Sequence, residues 1–225
     1  MAVFAIGDLH LSLGTDKPMD VFPGWKGYKE KLERSWNALV RPEDTVVLAG
    51  DTSWAMKLED TGADFAFLQS LPGRKLLLKG NHDYWWCTKA KMDRYLEQQG
   101  FTSLAILHNN SFSVEGMALC GTRSWLFDAG QPHDEKVMNR ELGRLRMSLD
   151  AAGDGEKVVF LHYPPLCSNA QAPEVVAVLR EYGVKRCFYG HLHGTAIRYA
   201  VQGMRDEIEY RLISADALGF CPLKI

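Results

Sequence analysis

Residues 76–83 are Leu-Leu-Leu-Lys-Gly-Asn-His-Asp, an apolar run that ends in a cluster of polar side chains. The run is too short for a helix, follows the turn signal Pro72-Gly73 and is closed by Gly80, so it predicts a buried strand. Its polar end carries groups that bind metals and transfer protons. Because ligands of open α/β sheets gather at the carboxyl ends of strands, we expect a functional loop at this junction.

The same pattern, an apolar run that ends in Asp, Asn or His, occurs at four more predicted strands. A lone histidine is ordinarily a core or surface residue, but five of the seven histidines lie in these motifs, which chance explains poorly. Alternate positions of an extended segment share one face, so the pairs at 8 and 10 and at 191 and 193 are each expected to face one cavity. The strand-end residues are Asp8, His10, Asp51, Asn81, His82, His162, His191 and His193.

Helical spacing separates the first three predicted strands, which implies parallel pairing with right-handed crossovers. Short alternating segments then predict antiparallel hairpins and the start of a second sheet. No repeat or linker marks a boundary, so residues 1–225 are expected to form a single domain. The predicted helices are 25–39, 61–71, 89–99, 128–150 and 173–182, the predicted hairpins lie in 101–125 and 197–213, and the remaining strands are 3–6, 45–49, 157–161 and 186–189.

Composition indicates a folded globular chain with 46% hydrophobic and 24% charged residues. The net charge of −2 argues against nucleic acid as a partner. Five cysteines without a close pair fit reduced thiols. The chain has neither a basic leader nor a stretch of transmembrane length, so we expect a cytoplasmic protein without a membrane partner. The sequence leaves the oligomeric state open.

The strand-end motifs in their order resemble the calcineurin-like metallophosphoesterase superfamily. They are Asp-x-His at 8–10, Gly-Asp at 50–51, Gly-Asn-His-Asp at 80–83, His162, and Gly-His-x-His at 190–193. The resemblance implies an α/β (α+β) fold, a four-layer αββα sandwich of two mixed β-sheets packed face to face with helices outside. It also implies a dinuclear site holding two divalent or transition-metal ions, drawn from Mn, Fe, Zn or Ni.

The resemblance also implies a role for each motif residue. Mixed oxygen and imidazole ligands suit such metals better than calcium. His82 would protonate the leaving alkoxide or stabilise the transition state, and Asp83 would orient the His82 ring or cap the following helix. One metal would be held by Asp8, His10 and His193, the other by Asn81, His162 and His191, with the catalytic carboxylate Asp51 bridging both.

The implied activity is hydrolysis of a phosphodiester or phosphomonoester in a small phosphorylated substrate, by attack of a hydroxide bound at the dinuclear site. Residues 50–56 lack the further Asp or Arg of the protein serine/threonine phosphatase branch, and the block at 80–83 ends in Asp rather than Glu. A nuclease is an alternative that the missing basic stripe weakens. A catalytically silent scaffold of the same fold is weakened because every ligand position is filled.

Aromatic residues flank several motifs. Some are hypothesised to stack on a substrate ring, and the alternative is packing that supports the metal loops. They are Trp25, Trp54, Tyr84, Trp85, Trp86 and Trp125.

Overall fold

The structure is a computed structural model that describes residues 1–126 and 134–225. Its described part contains two large β-sheets, a short two-stranded one and five α-helices. The strands are β1 (Val3–Ile6), β2 (Thr45–Leu48), β3 (Arg74–Leu77), β4 (Leu104–Ile106), β5 (Phe112–Val114), β6 (Met117–Thr122), β7 (Glu156–Leu161), β8 (Leu166–Cys167), β9 (Ala170–Gln171), β10 (Arg186–Tyr189), β11 (Gly203–Arg205), β12 (Ile208–Leu212) and β13 (Leu223–Lys224). The helices are α1 (Tyr28–Leu39), α2 (Gly62–Ser70), α3 (Lys89–Gln98), α4 (Glu135–Asp150) and α5 (Pro173–Glu181).

Both large sheets are mixed. The first has the order β13-β1-β2-β3-β4, in which β1 to β4 are parallel and β13 is antiparallel to β1. The second has the order β11-β12-β10-β7-β6-β5, with four parallel strands flanked by the antiparallel β11 and β5. The carboxyl ends of each parallel set therefore lie along one edge of their sheet.

Three apolar clusters fill the spaces between the layers. Val3 and Ala5 of the first sheet pack with Val158 and Phe160 of the second. Phe4 and Ile6 alternate with them in β1 and pack with residues of α1, α2 and α3, while α4 and α5 cover the far face of the second sheet. Each large aliphatic side chain buried in this way contributes about 2 kcal/mol. The predicted four-layer sandwich is confirmed.

One predicted strand pairing was wrong, and one predicted hairpin is shorter than expected. β4 is not part of a hairpin but continues the first sheet parallel to β3, because α3 provides the crossover between them. β5 and β6 do form the predicted hairpin, and the second sheet begins there. The last hairpin comprises only β11 and β12, because residues 194–199 form a 3₁₀-helix. Helix α4 begins at Glu135, and the first residues of the helix predicted for 128–150 fall outside the described residues.

β3 contains a fully buried lysine. Lys75 donates from Nζ to the carbonyl oxygens of Leu71, over 2.6 Å, and Gly73, over 2.8 Å. These bonds fix the turn that leads into the strand. Burial lowers the pKa of Lys75 to about 8.

Candidate metal centre

Loops at the carboxyl ends of the parallel strands bring the predicted site residues together. Asp8 and His10 follow β1, Asp51 follows β2, and His162 directly follows β7. Asn81 and His82 follow β3, and His191 and His193 follow β10. Contacts recorded between these side chains show that all eight meet in one groove between the ends of the two sheets.

The backbone at four of these residues is left-handed rather than extended. Asp8 has φ 55°, His10 46°, Asp51 49° and His191 71°. Asp8 and His10 converge as predicted, but the assumed cause, an extended backbone, was wrong. Non-glycine residues with positive φ are strained by about 1 kcal/mol or more and need support from their surroundings.

Hydrogen bonds between neighbouring loops provide this support. The Asp8 amide donates to the carbonyl of Gly50, and the His10 amide to the carbonyl of Asp51, each over 2.9 Å. The His191 amide donates to both carboxylate oxygens of Asp8, at 3.1 and 2.9 Å. The loop after β1 is thus tied to both sheets.

Asp83 holds two of these loops and plays neither of its predicted roles. One carboxylate oxygen accepts from the amides of Asp51 (2.9 Å) and Gly80 (2.7 Å). The other accepts from the Thr52 amide and the Trp85 indole. Helix α3 begins only at residue 89, so Asp83 does not cap it, and its oxygens face backbone donors rather than the His82 ring.

Two motif glycines permit the close approach of the loops. A Cβ on Gly80 would overlap both the backbone and the carboxylate of Asp51. A Cβ on Gly190 would lie 2.5 Å from the Asp8 carboxylate. The absence of a side chain at Gly80 and Gly190 is therefore explained by their contact with the carboxylates of Asp51 and Asp8.

One group of donor atoms comprises Asp8, His10 and His193, whose oxygen and nitrogen atoms all lie within 4.8 Å of one another. A second comprises Asp8, Asp51 and His162 with the same limit. Asp51 Oδ2 lies 3.8 Å from His10 Nε2 and 3.5 Å from His162 Nε2. One carboxylate oxygen thus stands between imidazoles from the two sheets.

Asn81 contacts His162 of this cluster and connects a further histidine, His191, to it. Its Oδ1 lies 2.6 Å from His162 Nε2 and 3.0 Å from His191 Nδ1. His162 Nδ1 faces the carbonyl oxygen of Ala49 at 3.1 Å, which can only accept, so the neutral ring presents a lone pair at Nε2. That lone pair faces the oxygens of Asn81 and Asp51.

The cluster fits divalent cations. His10 Nε2 and Asp51 Oδ2 are buried and, among the described residues, have no hydrogen-bond partner. Such atoms are costly unless a ligand satisfies them. The donor set of carboxylates, one amide oxygen and imidazoles, without a thiolate, suits borderline transition metals.

Burial also shifts the pKa values of the site residues. Burial, and then the charge of Asp51, raises the pKa of Asp8 well above its usual value, and burial raises the pKa of Asp51 to about 6. Burial lowers the pKa of His162 and of His191 to about 3, so both rings are neutral at pH 7. A cation would neutralise the crowded carboxylates and accept the imidazole lone pairs.

His82 is half-buried at the edge of the cluster. Its backbone amide donates to Asp51 Oδ1 over 2.7 Å, and its Nδ1 lies 3.4 Å from the Tyr84 hydroxyl. The imidazole lies beside the rings of Trp54 and His10, at centroid distances of 4.6 and 5.7 Å. It is the one motif histidine absent from both the metal-competent groups and the contacts with Asn81.

The six aromatic residues have different surroundings. Trp25 and Trp54 line a cavity that reaches His82. Trp85 is buried against Phe65, and Trp86 packs on Trp85. Trp125 lies against Tyr163, and Tyr84 is the partner of His82 described above. Trp25 and Trp54 thus border a space that could hold a substrate group.

Sequence reasoning missed Asp216. Its Oδ2 accepts from the Gly194 amide over 2.7 Å, and its charge opposes the burial that lowers the pKa of His193. The segment after β12 joins β1 through the bond from the Gly7 amide to the carbonyl of Ile213. Asp216 follows β12, whose sequence Ile-Glu-Tyr-Arg-Leu alternates apolar and charged residues, so the apolar-run signal that marked the other site residues does not extend to it.

A two-sheet sandwich with a histidine and carboxylate cluster at its strand ends fits the class of metal-dependent phosphoester hydrolases, and comparison with protein families assigns the chain to that class. The family model of the calcineurin-like phosphoesterases matches residues 1–195, so the chain belongs to that family. Comparison with curated protein sequences finds no match. In the described part of the chain, none of the helices has the length and apolar character needed to cross a membrane.

Solved structures provide comparisons of the fold. Phosphopantetheinyl hydrolase from Mycobacterium tuberculosis is similar with a TM-score of 0.59 and 14% identity, over 100% of this chain and 95% of that one. A protein of unknown function from Aquifex aeolicus gives 0.53 and 17%, over 99% and 95%. The protein TT1561 of Thermus thermophilus gives 0.53 and 15%, over 85% and 81%. At these identities the likeness concerns the fold alone.

Proposed function

We propose that the chain hydrolyses a phosphodiester or phosphomonoester of a small molecule at a dinuclear centre of Mn, Fe, Zn or Ni ions. The observation that supports this most strongly is the position of Asp51 Oδ2. It is buried, lacks a hydrogen-bond partner among the described residues and lies between His10 and His162. A carboxylate oxygen so placed is suited to bridge two cations.

Contacts among the site residues support the proposed ligand assignment. Asp8, His10 and His193 form the compact group around one position, and Asn81 links His162 and His191 at the other. When bound, two cations supply charge neutralisation for the phosphoryl oxygens and a water of lowered pKa. The other oxygen of the Asp51 carboxylate accepts a hydrogen bond from the His82 amide, and this bond would hold the carboxylate between the two cation positions.

His82 is the proposed proton donor to the leaving oxygen. Its ring is free of the ligand groups and is half-buried at the cavity wall. When the Tyr84 hydroxyl donates to Nδ1, the proton of the neutral ring resides on Nε2. A positioned acid of this kind contributes about 10²- to 10⁴-fold to the rate.

A cytoplasmic location and a small substrate belong to the same proposal. All five cysteines are free, which suits a reducing compartment. The net charge of −2 gives no general attraction to nucleic acid, which leaves the nuclease alternative without electrostatic support.

Hydrolysis of bis-p-nitrophenyl phosphate and p-nitrophenyl phosphate tests the proposal. We expect turnover after reconstitution with Mn²⁺, and none with metal-free protein. Zn²⁺, Fe²⁺ and Ni²⁺ are assayed in parallel, with single-stranded DNA as a third substrate. If no metal supports hydrolysis of either ester, the scaffold alternative is favoured, and faster turnover of DNA favours the nuclease.

A further inference from the structure

A cavity of about 480 Å³ opens beside His82. We propose that it binds the body of the leaving alcohol, and that the preferred substrates are phosphoesters of uncharged, largely hydrophobic alcohols. This inference rests on the proposed phosphoester hydrolysis. The volume lies within the range of about 300–1,000 Å³ that is typical of small-ligand sites.

The wall of the cavity is apolar. It consists of Met19, Phe22, Pro23, Trp25 and Trp54, together with three site histidines, Gly194 and Thr195. None of the described residues that line it is a lysine, arginine, aspartate or glutamate. A charged group placed there would lose hydration without gaining a partner, which disfavours nucleoside polyphosphates and sugar phosphates with a second charge.

The position of the cavity indicates that it binds the leaving group of the substrate. His10, His82 and His193 line it, whereas Asn81, His162 and His191 do not. Since His82 is the proposed donor to the leaving oxygen, the group attached to that oxygen must extend from His82 into the adjoining space. The retained phosphoryl group stays with the ligand cluster.

Exposed apolar residues continue this surface to the mouth of the cavity. Phe22 is 53% exposed and its neighbour Val21 is 71% exposed. Large apolar side chains left in water beside a cavity mark a binding surface. Lys17 lies over the Trp54 ring, 4.8 Å from its centroid, but is not one of the residues that line the cavity.

A pair of primary alkyl esters isolates the contribution of the cavity. Hexyl and ethyl phosphate have leaving alcohols of nearly equal acidity, so their chemical steps are alike. We expect kcat/KM of the Mn²⁺-loaded protein, measured by alcohol release, to be at least tenfold higher for the hexyl ester. The upper limit is about fourfold per methylene, which corresponds to about 0.8 kcal/mol for each buried CH₂. If the enzyme prefers diesters, hexyl methyl phosphate and ethyl methyl phosphate replace this pair.

Variants locate the effect. Phe22→Ser should reduce the hexyl-to-ethyl ratio by fivefold or more. Met204→Ser is the control, because Met204 is 65% exposed in β11 and does not line the cavity, and it should leave the ratio unchanged. A binding measurement without turnover is the quenching of tryptophan fluorescence by 6-bromo-1-hexanol in metal-free protein. The quenching should saturate, and half-saturation should require a higher concentration of 6-bromo-1-hexanol in Phe22→Ser than in the wild type.

The outcomes separate this inference from the proposed function. Turnover with a hexyl-to-ethyl ratio near one, or faster turnover of glycerol phosphate or a nucleoside 5′-phosphate than of hexyl phosphate, overturns the apolar-alcohol assignment and leaves the hydrolase proposal intact. Absence of turnover with every ester and metal removes both. Saturable quenching in that case would show that the cavity binds apolar alcohols for another purpose.

Discussion

The carboxylate of Asp83 accepts a hydrogen bond of 2.9 Å from the backbone amide of Asp51. The residue that ends one motif therefore holds the backbone of another. Burial, and then the charge of Asp51, raises the pKa of Asp83 to about 7. The hydrogen bonds that it accepts from backbone amides act in the opposite direction and favour its ionised form.

Replacing this carboxylate tests its role in holding the loops. Asp83→Asn keeps the shape, but its amide nitrogen cannot accept, so backbone donors at one oxygen lose their partner. We expect the free energy of unfolding to fall by about 1–3 kcal/mol and metal retention to weaken. Urea denaturation and metal analysis measure the two effects. Asp154→Asn, at an exposed turn, is the control, and equal stability of both variants would contradict the role.

Asp51→Asn should lose metal from both positions together. The bridging assignment gives this carboxylate a share in each cation, so its neutralisation weakens both. Metal content per chain after dialysis and turnover of a p-nitrophenyl ester are the measurements. Two tightly held ions with normal turnover would show that Asp51 does not bridge.

His82→Ala should retain both metals and lose activity selectively. Because an alkoxide needs protonation and a p-nitrophenolate needs little, the loss should approach 10²- to 10⁴-fold only for an alkyl ester. His162→Ala is the matched comparison and should reduce metal content and both activities alike. The measurements are metal content and kcat/KM for a matched pair of esters, under conditions where the chemical step is shown to limit the rate. Metal loss in His82→Ala, or equal rate losses, would remove the proton-donor role.

Lys75 should make stability depend on pH in alkaline solution. The folded chain releases the Lys75 proton at a pKa of about 8, against a usual value of 10.5, so the unfolded chain binds more protons between these limits. The free energy of unfolding contributed by this residue therefore rises with pH across that window. The difference between wild type and Lys75→Met, measured by urea denaturation from about pH 7.5 to 10.5, should grow in favour of wild type. A difference in the free energy of unfolding that stays constant across this pH range would contradict the prediction.

The convergence of the strand-end side chains could be predicted from the sequence because it depends on parallel strand pairing. An apolar run followed by Asp, Asn or His identifies a strand end, and parallel pairing then brings such ends to one edge. This reasoning predicted that the strand-end side chains meet, but not the left-handed backbone of Asp8 or the bonds of Asp83, which arise from contacts between loops distant in sequence. The position of β4 depended likewise on long-range pairing.

The apolar cavity was less accessible to sequence reasoning. Met19, Phe22 and Pro23 lie between the predicted strand 3–6 and the predicted helix 25–39, where the sequence has neither strand nor helix periodicity. Trp25 and Trp54 were recognised as aromatic residues near the motifs, but their common cavity depends on how the loops after β1 and β2 fold over each other.

The left-handed backbone at Asp8, His10 and Asp51 limits how this centre could be transplanted. A single loop grafted onto a foreign scaffold would relax toward ordinary φ values, because the amide and carbonyl partners that hold it belong to the neighbouring loop. A host protein would need at least the β1 and β2 loops together, in the same parallel register, before its carboxylates could meet. The smallest unit that could preserve this backbone geometry is therefore a pair of adjacent strands, and the complete site would also need the loops after β3, β7 and β10.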